Sequence, residues 1–315
     1  MEEIFRGSAV IVLAVAAALA FVLGLAFGSK GPDPDKPPRL ERAAEAFILT
    51  LLGGFFARTF VSILLSTAED TPFARLVIGW ATTVWTGAIG TIPSWFGAEF
   101  LTAHDTLLWA ALAVGAFTGL MDGIWRVYDW TGLGVPSFLL DKTWGLAGTT
   151  NAALLHLWNV IGGKHADEPR ENAHRYETGF HIKSGYAFTQ GAVMSELSVG
   201  VGKDLYNHEY THVWQNRIFG PLFVLSYVGW MAVTFIPSLI ARALTKAVTL
   251  GEAIERFTYF DNPWETWGYA VQKADRSAVA GGSDLIWSNT AVVLWSIPYF
   301  LAAAAATVLL LRAAW

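Results

Sequence analysis

Hydrophobic and polar positions divide this chain into two regimes. Residues 7–29, 76–98, 218–241 and 285–311 contain no Asp, Glu, Lys or Arg. Each matches the roughly 20 apolar residues that carry a helix across a hydrocarbon core, and each is predicted to span a membrane. Ala46–Ser66 is apolar except for Arg58 at its middle, and Thr106–Met121 is slightly short; both read as further membrane helices. An arginine at that depth needs a cavity, a partner or an interfacial position, and structural pairing is the preferred reading for Arg58. Between Asp122 and Lys203 the apolar runs break up. "FHIKSGYAFTQG" alternates apolar and polar side chains around Ser184-Gly185, which predicts a β-hairpin, with strand character continuing through "AVMSELSVGVG" to Gly200 and Gly202. A helix from Leu205 to Phe219 follows, with Asp204 as its N-cap and Gly220-Pro221 as its stop. Residues 28–42, "GSKGPDPDKPPRLER", read as an extended Pro-rich linker.

Composition agrees with a membrane protein: 54% hydrophobic residues against 15% charged, with 15 Trp and 20 Phe. The start, "MEEIFR", is net acidic and the apolar region after it is longer than a signal-peptide core, so residues 7–29 are expected to be a retained anchor. A net charge of −5 and the lack of any basic run exclude a nucleic-acid partner. With no cysteine, disulfides and thiolate ligands are impossible, and any metal must be held by His and carboxylates.

The most polar stretch holds His208-Glu209-Tyr210-Thr211-His212. Helical positions four apart share a face, so His208 and His212 can direct two imidazoles at one ion, with Glu209 placed as a general base toward a metal-bound water. Catalytic zinc usually takes a third protein ligand. Gln215 and Ile218 stand where a metzincin has Gly and His, which leaves the downstream carboxylates Glu252, Glu255, Asp261 and Glu265. Glu265 is preferred, because Asn262 and Pro263 read as the N-cap and first residue of a helix that would hold it. The alternative is that Glu265 only completes a capping box. Tyr259 and Tyr269 flank it and can donate to an oxyanion, or anchor at the membrane interface like the many Trp. His181 shares a predicted strand face with Lys183 and either lines a cleft or is simply solvated.

"HEYTHVWQ", followed 53 residues after its second His by Glu265 of "NPWETWGYA", resembles the gluzincin group of zinc metallopeptidases. "QNRIFGPLF" is similar to uncharacterised bacterial membrane proteins that carry the same helix. The resemblance covers residues 178–275 and implies Zn2+ held by His208, His212 and Glu265, with Glu209 as base. The third motif departs from the Glu-x-x-Ala/Ser-Asp spelling, with Trp267-Gly268-Tyr269 in its place. The expected fold is mainly α: a polytopic helical membrane protein with a small α+β zincin-like metal domain, a β-hairpin leading into the metal helix. Residues 1–121 would form membrane helices and the linker, 122–284 the metal domain including the apolar helix 218–241, and 285–315 a final membrane helix. The implied location is multi-pass in a bacterial cytoplasmic membrane.

The function expected from these residues is a membrane-embedded zinc peptidase acting on a peptide or membrane-protein substrate within the lipid bilayer. A zinc hydrolase of lipid esters and a non-catalytic scaffold with a structural metal are the alternatives. A diiron desaturase needs about eight clustered His, and this chain has seven with only one such pair. Topology poses a problem, since a spanning 218–241 would put His212 and Glu265 on opposite faces. A re-entrant hairpin at Gly229 and Pro237 is the preferred solution, ahead of a site at membrane depth.

Overall fold

The computed structural model describes residues 7–27, 38–166, 170–198, 202–245, 248–281 and 287–314. Most of the expected linker lies outside these residues, but Arg39–Arg42 are already helical: α2 starts directly after Pro38.

The N-terminal half is a helical bundle of α1 (Gly7–Phe27), α2 (Arg39–Thr67), α3 (Pro72–Ala81), α4 (Val84–Trp95) and α5 (His104–Trp125). Glycines let its backbones touch. A Cβ on Gly115 would lie 2.2 Å from Gly53 O, one on Gly119 2.1 Å from Leu49 O, and one on Gly123 2.3 Å from Ala46 Cα. This ladder, repeating every four residues on α5, is the small-residue packing by which membrane helices associate without a hydrophobic driving force between them. Arg58 is buried at the α2–α5 contact with its guanidinium 5.3 Å above the Trp109 ring. The apolar run 76–98 does not make a single span. It breaks at Thr82-Thr83, where Thr82 Oγ1 donates to Ile78 O at 2.7 Å and the Thr83 and Thr86 hydroxyls bond to each other at 2.7 Å. Hydroxyls that bond to nearby groups compete with helix continuation. The two short helices pack at Gly79 and Gly87, and the Trp80 indole bonds Thr91 at 3.0 Å.

Among the described residues, four helices are long and apolar enough to cross a membrane: α1, α2, α5 and the later Pro221–Leu244. Val10, Ile11, Val15, Leu19 and Val22 of α1 point outward, as lipid-facing positions do.

The polar middle forms α6 (Gly134–Lys142), α7 (Leu146–Gly162), β1 (Lys164–His165), β2 (His174–Thr178), β3 (Phe188–Gln190) and β4 (Val193–Ser195). The sheet order is β1-β2-β4-β3, antiparallel except between β2 and β4. A hairpin does precede the helix that carries His208 and His212, but its turn is at Gly191-Ala192 between β3 and β4 rather than at Ser184-Gly185. Gly191 adopts φ +54 and lies against the Gly148 backbone, a place where a side chain would clash. Ser184-Gly185 instead turns within the loop between β2 and β3. Residues 199–201, the expected end of the strand, lie outside the described residues.

A buried polar chain joins sheet to bundle. His165 Nε2 meets His174 Nδ1 at 2.9 Å, His174 Nε2 meets Asp122 Oδ1 at 2.9 Å, and Lys142 Nζ meets Asp122 Oδ2 at 2.7 Å. His156 bonds the Tyr176 hydroxyl at 2.9 Å. Burial holds all three imidazoles well below their usual pKa. Arg217 clamps Asp141 through Nε at 2.9 Å and Nη2 at 2.7 Å, and Tyr128 donates to the same carboxylate at 2.9 Å.

Helix α8 (Lys203–Phe219) starts two residues before its expected first residue, with Gly202 at the cap and Asp204 in the first turn, where a carboxylate favours the helix dipole. Gly220, at φ +53, leads directly into α9 (Pro221–Leu244). The expected re-entrant turn within 218–241 is not present: α9 runs through Gly229 and Pro237 as one helix. The return leg comes afterwards, in α10 (Leu250–Glu255) and the π-helical turn Arg256–Phe260. Trp230 Nε1 bonds Phe257 O at 3.2 Å, Asn262 Nδ2 bonds Tyr227 O at 3.3 Å, and Trp264 Nε1 bonds Ser226 Oγ at 3.0 Å. Successive residues of the return leg thus meet successively earlier residues of α9, which brings α11 (Pro263–Gln272) back beside α8. Helices α12 (Arg276–Val279) and α13 (Asn289–Ala314) follow.

Candidate metal centre

His208, His212 and Glu265 come together as a buried group whose ligand atoms all lie within 4.8 Å of one another. The helical repeat of α8 puts the two imidazoles on one face, with ring centroids 5.0 Å apart. Glu265 is supplied by the first turn of α11. Asn262 caps that helix, its Oδ1 accepting from Trp264 N at 3.1 Å. The Glu265 carboxylate does not turn back to the cap: Oε2 is 3.2 Å from His208 Nε2 and Oε1 is 3.3 Å from His212 Nε2. The capping box is made elsewhere, by Thr249 and Glu252 on α10. Of the other carboxylates considered, Glu255 pairs with Lys183 at 2.7 Å and Asp261 with Arg276 at 3.0 Å.

Outer partners orient the rings. His212 Nδ1 is 2.8 Å from Gln215 Oε1, and Gln215 Nε2 donates to Trp264 O at 3.1 Å, fixing the amide with its oxygen toward the imidazole. His208 Nδ1 is 3.0 Å from Gln272 Oε1. With Nδ1 of each ring engaged by a glutamine oxygen, Nε2 of each ring is turned toward a Glu265 carboxylate oxygen. Burial by itself would lower His212, but the Glu265 carboxylate outweighs it and raises the imidazole to about 9. Burial would raise Glu265, and the two imidazoles outweigh it and hold the carboxyl well below its usual range. Two imidazoles and one carboxylate in this arrangement could hold a metal ion.

Gly268 makes this approach possible. A Cβ there would lie 2.8 Å from both Cε1 and Nε2 of His208. Glu209 is buried beside the group but outside it, and Thr189 of β3 donates to its Oε2 at 2.6 Å. Glu209, His212 and Glu265 are in the wall of a cavity of about 960 Å3 formed by α7, β3, α9, α10 and the π-helical turn.

Tyr259 lines that cavity, while Tyr269 packs edge-on against His208 at 4.6 Å. Burial, reinforced by the Glu265 carboxylate, pushes both hydroxyls above the usual phenol range, so both remain proton donors. His181 sits 3.7 Å from Glu196, outside the cavity wall. Trp230 and Trp264, read from sequence as interface anchors, are buried and brace α9 against the return leg. Sequence reading missed Tyr227, whose hydroxyl donates to Glu265 Oε1 at 2.7 Å, and also Thr189, Gln272 and Gly268. Gln215, three residues after His212 on the same helix face, was accessible to the spacing argument that found the two histidines.

Comparison with known proteins returns no matching family, no matching curated protein and no matching solved structure.

Proposed function

We propose that this chain is a membrane-embedded zinc-dependent hydrolase, and specifically a peptidase. The observation that carries the reading is the position of Glu209. This carboxylate is held by Thr189 on the cavity wall next to His212 and Glu265, yet does not belong to the ligand group. A purely structural metal has no use for such a carboxylate.

His208, His212 and Glu265 would hold the ion, which supplies Lewis acidity, acidifying a coordinated water and polarising the scissile carbonyl. Glu209 takes a proton from the attacking water and returns it to the leaving amine. Thr189 fixes one carboxylate oxygen of Glu209 and leaves the other for this exchange. Gln215 and Gln272 hold the imidazoles in the tautomer that offers Nε2. The Tyr259 hydroxyl, protonated and exposed to the cavity, is placed to donate to the developing oxyanion.

The peptidase assignment is supported by β3. Among the described residues it is the outer strand of its sheet, and Phe188, Thr189 and Gln190 all line the cavity, where an extended chain could pair with it. Glu209→Gln preserves side-chain size while removing the base. Turnover should fall by ~10²–10⁴-fold with metal content unchanged. Cleavage at the parental rate in this variant rules the mechanism out.

A further inference from the structure

The cavity's chemistry is unevenly distributed. Thr189, Glu209, His212, Tyr227 and Glu265 converge in one part of its wall, Thr189 donating to Glu209 and Tyr227 to Glu265, while Asn151, Gln190 and Thr258 also line it. Lys183, the one Lys or Arg among the residues that line the wall, is paired with Glu255 at 2.7 Å. The remaining wall is largely apolar and continues to the outside. Trp85, Leu154, Trp158, Ile182, Val228 and Met231 line the cavity and are also exposed, Trp158 at 64% and Val228 at 57%. A mouth ringed by six such side chains is a contiguous apolar patch of the kind that marks a membrane or ligand contact. Val228 and Met231 belong to α9, one of the four spanning candidates. The cavity lies at the upper end of the ~300–1,000 Å3 range of ligand pockets and has room for several side chains in a row.

We infer that the substrate is an extended apolar polypeptide segment, which reaches the metal centre from the lipid side between α7 and α9, with bulky apolar residues on both sides of the scissile bond. This rests on the peptidase reading for its chemistry, but the binding preference stands on the walls alone. A charged side chain beside the scissile bond would lose its water and find no partner in Leu154, Leu155, Trp158 or Val228. The open edge of β3 supplies main-chain hydrogen bonds that an acyl chain cannot use.

The test uses the full chain in phospholipid nanodiscs. Binding is measured by fluorescence anisotropy on Glu209→Gln, and cleavage on the parent. Three labelled probes are compared: a ten-residue peptide rich in Leu, Phe and Val, the same peptide with Asp or Lys at the residues flanking its central bond, and a long-chain acyl ester. The apolar peptide should bind at least ~10-fold more tightly than its charged counterpart, given the free energy of burying even one large apolar side chain. Val228→Trp, which narrows the mouth, should weaken that binding at least ~10-fold while metal content stays constant. Equal affinity for the two peptides, or tight binding of the ester alone, overturns the inference. Preferred cleavage of the charged peptide also overturns it and leaves the hydrolase standing. Tight binding of the apolar peptide with no cleavage by the parent sustains the inference and overturns the hydrolase.

Discussion

Gly268→Ala isolates what the metal centre requires of its surroundings. In an unencumbered helix this change stabilises by up to ~1 kcal/mol, since alanine has the better propensity. Here the new methyl would lie 2.8 Å from Cε1 and Nε2 of His208 and 3.1 Å from its Cδ2. The ring cannot swing away freely, because Gln272 holds Nδ1 at 3.0 Å and Glu265 faces Nε2 at 3.2 Å. Either the imidazole tilts off the shared ligand position or α11 moves away from α8, taking Glu265 with it. Overpacking of this kind costs about 1–3 kcal/mol, which corresponds to a loss of roughly 5- to 150-fold in metal affinity if it falls on the bound state. Competition titration with a chromogenic chelator measures the affinity, and thermal unfolding of metal-free protein measures the propensity gain separately. Gly251→Ala on α10 is the control, because a Cβ there meets nothing within 4 Å. Parental zinc affinity in Gly268→Ala would refute the argument that backbone proximity at this glycine builds the site.

Three further outcomes are expected. His212→Ala and Glu265→Ala should each abolish stoichiometric metal in elemental analysis, whereas Glu255→Ala and Glu252→Ala should retain it, the latter losing only a capping-box contact; metal kept in Glu265→Ala would return that residue to a structural role. Gly119→Val should lower the unfolding midpoint in detergent by forcing α5 off the Leu49 carbonyl 2.1 Å from its Cβ, at a cost of about 1–3 kcal/mol or more, while Gly162→Ala, with open space around it, should not. Burial keeps His156, His165 and His174 neutral in the folded chain, so the unfolded chain takes up protons that the folded one refuses, and stability should fall as pH drops below about 6.5, by up to ~1.4 kcal/mol per pH unit for each histidine. In metal-free protein His212 acts in the opposite sense only above about pH 6.5, its contribution being lost as pH rises toward about 9, so it does not offset the three below 6.5; an unfolding midpoint that does not change between pH 7 and 5 contradicts the assignment.

Local spacing carried the parts of the site that sequence reading reached. His208 and His212 are related by one helical turn, and Glu265 by its distance from a recognisable cap, so neither inference needed the tertiary fold. Tyr227, Gln272 and Thr189 reach the site from three other elements, and only packing brings them there. Hydropathy located α1, α2, α5 and α9 but could not separate one long helix from two short ones in 76–98, because Thr82 and Thr83 leave the apolar character of that run unchanged while altering its hydrogen bonds. The hairpin turn was misplaced for a similar reason: Ser184-Gly185 has turn chemistry, but the pairing partner of β3 is set by the long-range fit of Gly191 against Gly148. The return leg through Leu250–Phe260 carries Glu252, Glu255 and Arg256, so its polarity concealed a helix that folds back along an apolar one.

The single residue between α8 and α9 has a mechanical consequence. Gly220 couples the helix that carries both histidines to a 24-residue apolar helix, and Tyr227 and Ser226 couple that same helix to Glu265 and Trp264. At 1.5 Å per residue α9 is ~36 Å long, against a hydrocarbon thickness of ~30 Å. A helix longer than the slab it crosses tilts, and its tilt follows the acyl-chain length of the surrounding lipid. With both the imidazole-bearing and the carboxylate-bearing helix tied to it, a bilayer crossed by α9 would act as a gauge on the spacing between the imidazoles and the carboxylate, and lipid thickness would become a variable of the candidate site itself.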